Sequence, residues 1–221
     1  NPIAILPKKA NNNGVIEYNL GGGYRKSIDW EPLGQVGFYD TFGPELSFAQ
    51  SLVSNNVPNV SIGKFVQSGS QIIDWTPEGS MAKSRHIYPD FIRFVEETVS
   101  DLKAKGHQVS LAGIFYHLSE NDMSFYPYRK MAAERIQDII AKSRDDLRMP
   151  DLKWYVSQQS PTDEKGVNRI DVVADFEKIA KNDPNLIHLK AFSLPPQKKK
   201  LVLDAAGVIQ LGRLMGEVFF K

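Results

Sequence analysis

The sequence contains no cysteine, and this absence excludes disulfide frameworks, cysteine–zinc sites and thiol catalysis. An excess of charge is also missing: 27 Lys and Arg residues stand against 26 Asp and Glu, which gives a formal net charge of +1. Because a balance so close to zero creates no strong field, the composition predicts no DNA or RNA partner. No apolar run reaches the roughly 20 residues that a membrane-spanning helix needs, so no membrane span is predicted.

The composition is otherwise typical of one large globular domain. The chain has 221 residues, of which 42% are hydrophobic and 24% charged, and these values exclude disorder as the main state. Neither an internal repeat nor a long linker divides the chain, so we predict a single domain over residues 1–221. The chain begins at Asn1 rather than Met, which leaves room for a leader that was removed and therefore keeps secretion open.

Short apolar runs alternate with amphipathic segments along the chain. The runs cover residues 2–6, 60–66, 109–116, 152–156 and 186–192. The first helical pattern opens at Pro44 with Leu46, Ala49 and Val53 on one face, and the last pattern has Asp204 as its N-cap. This alternation is typical of a parallel sheet with helices on both faces. We therefore predict an α/β fold, a three-layer α/β/α sandwich with a mostly parallel sheet.

The functional edge of such a sheet is the edge where the parallel strands end. With the first apolar segment placed in the middle of the sheet, the loops of interest follow Leu6, Val66, Tyr116, Val156 and Phe192. These loops contain lysines after the first strand, serines and a glycine after the second, and a histidine with acidic residues after the third. The prediction is that these side chains converge at one edge of the sheet.

Four segments of the chain carry motifs that match one known family in order and spacing. They are G-P-E-L-S-F-A at 43–49, a stretch from Lys64 through Gly69 to Trp75, A-G-I-F-Y-H with the acidic residues that follow it over 112–122, and L-D-A-A-G with L-G over 203–212. From about Gly43 onward, the chain resembles the SGNH-hydrolase carbohydrate esterases, in the branch with sialate O-acetylesterases and plant-type acetylxylan esterases. The resemblance implies a flavodoxin-like sheet, an acetylated or anionic glycan as partner, no cofactor, and an extracellular or periplasmic location.

That family hydrolyses esters with a Ser-His-Asp triad. Its serine stands in G-Q-S-N at the end of the first strand, its acid and base stand in D-x-x-H before the last helix, and the Gln of H-Q-G-E-S-D helps to form the oxyanion hole. The matching positions of this sequence hold Lys9 for the nucleophile, Lys199 for the acid and Val202 for the base. The oxyanion Gln is replaced by Leu118, and the first Gly of the second motif is replaced by Ser68.

These replacements predict that triad hydrolysis does not occur. A hydroxyl without a base is a poor nucleophile, and the loss of one triad member costs about 10⁴- to 10⁶-fold in rate. We therefore predict a catalytically degenerate domain that acts as a glycan-binding or accessory protein. Two alternatives keep the domain an active carbohydrate O-acetylesterase. In the first, Ser68 or Ser70 is the nucleophile with His117 as its base; in the second, the chain starts after a nucleophile that it lacks.

The residues predicted to bind the ligand stand in the loops of the functional edge: Lys9, Ser68, Gly69, His117, Glu120, Asn121, Asp122 and Lys199. Because the nucleophile and acid positions converge in the family's fold, Lys9 and Lys199 would make a cationic pocket for a sugar carboxylate or sulfate. The competing interpretation is that these lysines pair with Glu120 or Asp122. His117 and Glu120 are either a structural pair or a ligand contact, and Asp122 either orients a ligand or caps a turn. The scattered histidines do not predict a metal site.

Overall fold

The structure is a computed structural model, and it describes residues 3–7, 17–22, 25–33, 42–57, 59–82, 85–118, 120–124, 126–158, 169–194 and 202–221. The strands are β1 (Ile3–Pro7), β2 (Glu17–Gly22), β3 (Arg25–Lys26), β4 (Glu31–Pro32), β5 (Val60–Lys64), β6 (Gly113–His117), β7 (Trp154–Gln158) and β8 (Leu186–Lys190). The helices are α1 (Glu45–Ser54), α2 (Tyr88–Ala104), α3 (Glu120–Ser124), α4 (Tyr126–Lys130), α5 (Ala132–Asp146), α6 (Arg169–Asn182) and α7 (Ala205–Phe219), with a 3-10 helix over Ile72–Trp75. Within the described ranges, no helix combines the length and the apolar character needed to cross a membrane.

The strands form an eight-stranded sheet in the order β3-β2-β5-β1-β6-β7-β8, with β4 paired to β2. β2 is parallel to β5, β6 is parallel to β7, and β7 is parallel to β8. β5 and β6 also point the same way, because β1 is antiparallel to both of them. Five strands, β2, β5, β6, β7 and β8, therefore end at one edge, which we call the carboxyl edge, and their last residues are Gly22, Lys64, His117, Gln158 and Lys190.

Helices cover both faces of this sheet, because successive side chains of a strand point to opposite faces. In β6, Ile114 and Tyr116 belong to the core under α2, α5 and α6, whereas Phe115 belongs to the core under α1 and α7. In β7, Trp154 likewise belongs to the core under α2, α5 and α6, and Tyr155 belongs to the core under α1 and α7. The predicted three-layer α/β/α sandwich is confirmed.

The first strand lies in the middle of the sheet, as predicted, but its direction is not the predicted one. Ile3 pairs with Lys64 of β5 and with Phe115 of β6, and Pro7 pairs with Val60, the first residue of β5. The chain therefore leaves β1 at the edge opposite the carboxyl edge, and the prediction that the loop after Leu6 joins the functional edge is wrong. A short apolar strand satisfies its backbone groups in either direction, so its residues do not encode the choice. Lys9, which follows in the sequence, lies outside the described residues.

The buried face of α1 also differs from the predicted one. Phe48 and Leu52 are fully buried, but Val53, which we predicted to face the core, is 54% exposed. The buried face is shifted because it includes two polar residues, Glu45 and Ser47. Glu45 pairs with Lys64, and Ser47 lies at the close contact with α7. A periodicity that counts apolar residues alone therefore selects the wrong face of this helix.

The last helix begins where the sequence predicts. Asp204 is its N-cap, and the Asp204 carboxylate accepts a hydrogen bond of 2.8 Å from the Gly207 backbone N–H. We expect Asp204→Ala to lower the free energy of unfolding by about 1 kcal/mol, because this backbone donor loses its acceptor. Urea unfolding measures the change. Asp204→Asn keeps an acceptor and should retain most of the stability; an equal loss in both variants would contradict the capping role.

Candidate functional site

The loop after β5 supplies the first part of the carboxyl edge. Ser68 and Gly69 are exposed, and Gly69 has a φ of +68°, a backbone conformation that favours glycine. Ser70, in contrast, is buried. Its hydroxyl donates to the Gln67 carbonyl at 2.8 Å and accepts a hydrogen bond from Trp75 Nε1 at 3.0 Å. Ser70 therefore stabilises the conformation of the loop. Ser68 and Gly69 are the residues of this loop that a ligand could contact.

Two buried carboxylates hold the segments that follow. Asp122, in α3, is fully buried and accepts a hydrogen bond of 2.8 Å from the Ile72 backbone N–H. Asp74 is also buried and lies 3.3 Å from Arg85 Nη1, which in turn donates to the Gly69 carbonyl at 2.6 Å. These bonds connect α3, the 3-10 helix and the exposed loop to one another. This bond gives Asp122 a structural role at the start of the 3-10 helix.

His117, at the end of β6, contacts a serine. Its Nδ1 lies 2.6 Å from the Oγ of Ser157, the residue directly opposite it on β7. Burial lowers the pKa of His117 to about 3, so the imidazole is neutral at physiological pH. Ser157 is only 1% exposed. The arrangement is thus a serine–imidazole pair, but its hydroxyl is enclosed by the sheet and its imidazole is a weak base.

A second histidine lies in the middle of β8, two strands away from His117 in the sheet. His188 Nε2 is 2.8 Å from the Gln158 side-chain oxygen, and its ring packs between Phe176 and Phe192 at centroid distances of 5.4 and 6.4 Å. Burial, aided by the charge of Lys190, lowers the pKa of His188 to about 4. Sequence reasoning missed this pair, because neither residue belongs to a family motif. The available signal was a glutamine that follows closely on the apolar run at 152–156.

The positions that match the family's triad and oxyanion donors are only partly within the described residues. Val202, at the position of the family's base, is 39% exposed and lies just before α7. Leu118, at the position of the oxyanion Gln, is fully buried. Lys199 and Lys9 lie outside the described residues, and the side chain of Glu120 is likewise not described. Asn121 is half-buried beside Asp122.

The low histidine pKa values predict how stability depends on pH. Below about pH 6.5 the unfolded chain binds protons at His117 and His188 that the native state does not accept, so the free energy of unfolding should fall as the pH decreases. For His117 the slope is at most about 1.4 kcal/mol per pH unit, and it continues until the native pKa near 3 is approached. Urea unfolding at a series of pH values measures this slope.

His117→Gln should make the pH dependence shallower, because the glutamine side chain does not titrate. The matched control is His86→Gln, since the His86 ring is exposed. An unchanged slope in His117→Gln would show that the imidazole is accessible to protons in the native state.

A protein from Arabidopsis thaliana, with an X-ray structure at 1.6 Å resolution, has a similar fold. The TM-score is 0.69 and the sequence identity 19%, with 94% of this chain and 81% of the Arabidopsis chain covered. No match was found among curated proteins. The family model described as carbohydrate esterase, sialic acid-specific acetylesterase, matches residues 21–221. The chain therefore belongs to this family of carbohydrate esterases.

Proposed function

We propose that this domain binds carbohydrate at the carboxyl edge of its sheet and does not hydrolyse esters with a triad. The observation that carries the proposal is the environment of His117, whose pKa is lowered to about 3 by burial and whose Nδ1 contacts the enclosed Ser157. A general base is most effective when its pKa lies near the working pH, so an imidazole this acidic is a poor acceptor for a serine proton. The half-exposed Val202 at the position of the family's base supports the same proposal.

The ligand class follows from the family and from the groups available at the edge. Family membership points to a carbohydrate. The exposed loop at Ser68 and Gly69 offers backbone and hydroxyl groups that suit sugar hydroxyls. Lys199 stands in the sequence at the position of the family's acid, and an ammonium group there would favour a sugar carboxylate or sulfate. We therefore propose an anionic or acetylated glycan.

Binding can be tested by calorimetry with uronate and sulfated oligosaccharides. We expect Lys199→Ala to weaken binding by about tenfold or more, which corresponds to about 1.4 kcal/mol. The matched control is Lys198→Ala, which removes the neighbouring charge from the same lysine run at a position outside the family motif. Equal effects of the two substitutions, or no binding to wild type, would rule out a specific cationic pocket.

Catalysis can be tested with p-nitrophenyl acetate and a serine-reactive phosphonate. We expect the phosphonate to leave any hydrolysis of p-nitrophenyl acetate unchanged, because the domain has no serine nucleophile in a triad. A second candidate function, an active O-acetylesterase with a rearranged site, is favoured by one observation: the 2.6 Å contact between His117 Nδ1 and Ser157 Oγ. Phosphonate labelling of Ser157, together with loss of turnover in Ser157→Ala, would establish this second function and overturn the first.

A further inference from the structure

A groove between α1 and α7 lies away from the carboxyl edge. α1 ends at Ser54, shortly before β5 begins, so the carboxyl end of α1 lies toward the opposite edge of the sheet. The cavity in the groove has a volume of about 740 Å³, which is within the usual range for small-ligand sites. Its lining includes Gln50, Ser54 and Asn55 from the end of α1, and Arg213, Glu217 and Phe220 from α7 and its C-cap.

We infer that this groove is a second binding site, for a neutral sugar unit. The first reason is the exposed aromatic ring at one side of the groove. Phe220 is 41% exposed, although it lies next to the packed ring of Phe219 at a centroid distance of 5.6 Å. The apolar face of a pyranose can cover such a ring and remove its apolar surface from water.

The second reason is the set of polar groups that surround the ring. Asn55 Nδ2 donates to the Ser51 carbonyl at 2.8 Å, so the Asn55 side-chain oxygen is left as an acceptor, and the Ser51 hydroxyl donates to the Ser47 carbonyl at 3.0 Å. Arg213 and Glu217 lie four residues apart on α7, yet neither side chain has a hydrogen bond or ion pair to another residue that the structure describes. The groove thus combines hydrogen-bond donors and acceptors, and a sugar hydroxyl can accept from the donors and donate to the acceptors.

The charges of the groove favour a neutral ligand over an anionic one. Arg213 and Lys221 are cationic, but Glu217 is anionic and both helices present their carboxyl ends, with partial negative charge, to this region. These contributions oppose one another, so no single sign dominates. This site therefore differs in ligand charge from the cationic pocket proposed at the carboxyl edge.

The inference is tested by titrating ¹⁵N-labelled protein with xylotetraose, cellotetraose and maltotetraose. We expect at least one of them to shift the amide signals of Gln50, Asn55 and Phe220, with an affinity that Phe220→Ala lowers about tenfold. Ile209→Ala is the matched control, because Ile209 is a 36% exposed apolar residue of the same helix outside the groove. Glu217→Gln, a nearly isosteric change, should also weaken binding and gives a second readout if Phe220→Ala is unstable.

The possible outcomes separate this site from the carboxyl edge. Loss of the shifts in Phe220→Ala, with binding kept in Lys199→Ala, supports the groove. Shifts confined to the loops after β5 and β6, no shift with any of the three sugars, or equal affinity in Phe220→Ala and Ile209→Ala would overturn it.

Discussion

Replacing Gly212 with alanine should separate two helices that now touch. A Cβ atom at Gly212 would lie 2.0 Å from Ser47 Oγ and 2.1 Å from the Pro44 carbonyl oxygen. Both distances are far below van der Waals contact, and the second involves backbone that cannot rotate away. Overpacking of this kind costs up to about 3 kcal/mol. Since alanine also favours a helix by about 1 kcal/mol over glycine, we expect a net loss of about 2 kcal/mol in the free energy of unfolding. Thermal unfolding should show a melting temperature about 4–8 °C lower.

A second glycine of the same helix provides a control with a defined rescue. A Cβ at Gly216 would lie 2.5 Å from Ser51 Cβ, and the next obstacle after that side chain is Ser51 Cα at 4.0 Å. Ser51→Gly should therefore restore most of the stability lost in Gly216→Ala, apart from the cost of a glycine in α1. Ser47→Gly should not rescue Gly212→Ala to the same degree, because the Pro44 carbonyl stays in place. If Ser47→Gly rescues Gly212→Ala as well as Ser51→Gly rescues Gly216→Ala, then α1 and α7 can move apart to accommodate the added methyl group.

The sequence predicted those parts of the fold that depend on periodicity and local chemistry. The alternation of Ile114, Phe115 and Tyr116 divides β6 between two cores, as expected for a sheet with helices on both faces. The cap at Asp204 is a local interaction, and it was predicted correctly for that reason. The family resemblance rested on motifs in a fixed order, and the family model now confirms it.

Other parts of the fold could not be predicted, because they depend on residues far apart in the sequence. The direction of β1 is set by neighbours that lie more than fifty positions away, such as Val60 opposite Pro7. The contact of His117 with Ser157 requires the register of β6 and β7, which apolar patterns do not contain. A histidine in a family motif thus indicated the right region of the sheet but not its partner.

The pairing of Glu45 with Lys64 was also not predicted, although both residues stand in the motifs that carry the resemblance. Glu45 is fully buried at the start of α1, and Lys64 is the last residue of β5. Their side chains meet at 2.8 Å, with Lys64 only 12% exposed. The other carboxylate oxygen of Glu45 is buried and has no hydrogen-bond partner among the residues that the structure describes. Within the described part of the chain, Lys64 is therefore the cation that stabilises this carboxylate.

Substitution of Lys64 by methionine should therefore destabilise the protein strongly. Methionine keeps most of the side-chain volume but leaves the Glu45 carboxylate buried without a counter-charge, and breaking a buried pair in this way costs about 3–5 kcal/mol. Chemical unfolding of the wild type and the variant gives the difference. The control is Lys190→Met, which breaks an ion pair with Glu177 whose two side chains are 52% and 49% exposed, and which should cost less than about 1 kcal/mol.

The double variant Lys64→Met/Glu45→Gln shows whether the instability of Lys64→Met comes from an unpaired buried charge or from a loss of packing. The neutral amide of glutamine needs no counter-charge, so the double variant should be more stable than Lys64→Met alone, because the unpaired charge accounts for most of the penalty. If the double variant is as unstable as the single one, the lysine acts through its aliphatic stem and not through its charge. If Lys64→Met costs no more than Lys190→Met, the pair is solvated in the native protein. Lys64 would then be open to water at the carboxyl edge and available as a further cation for the proposed glycan.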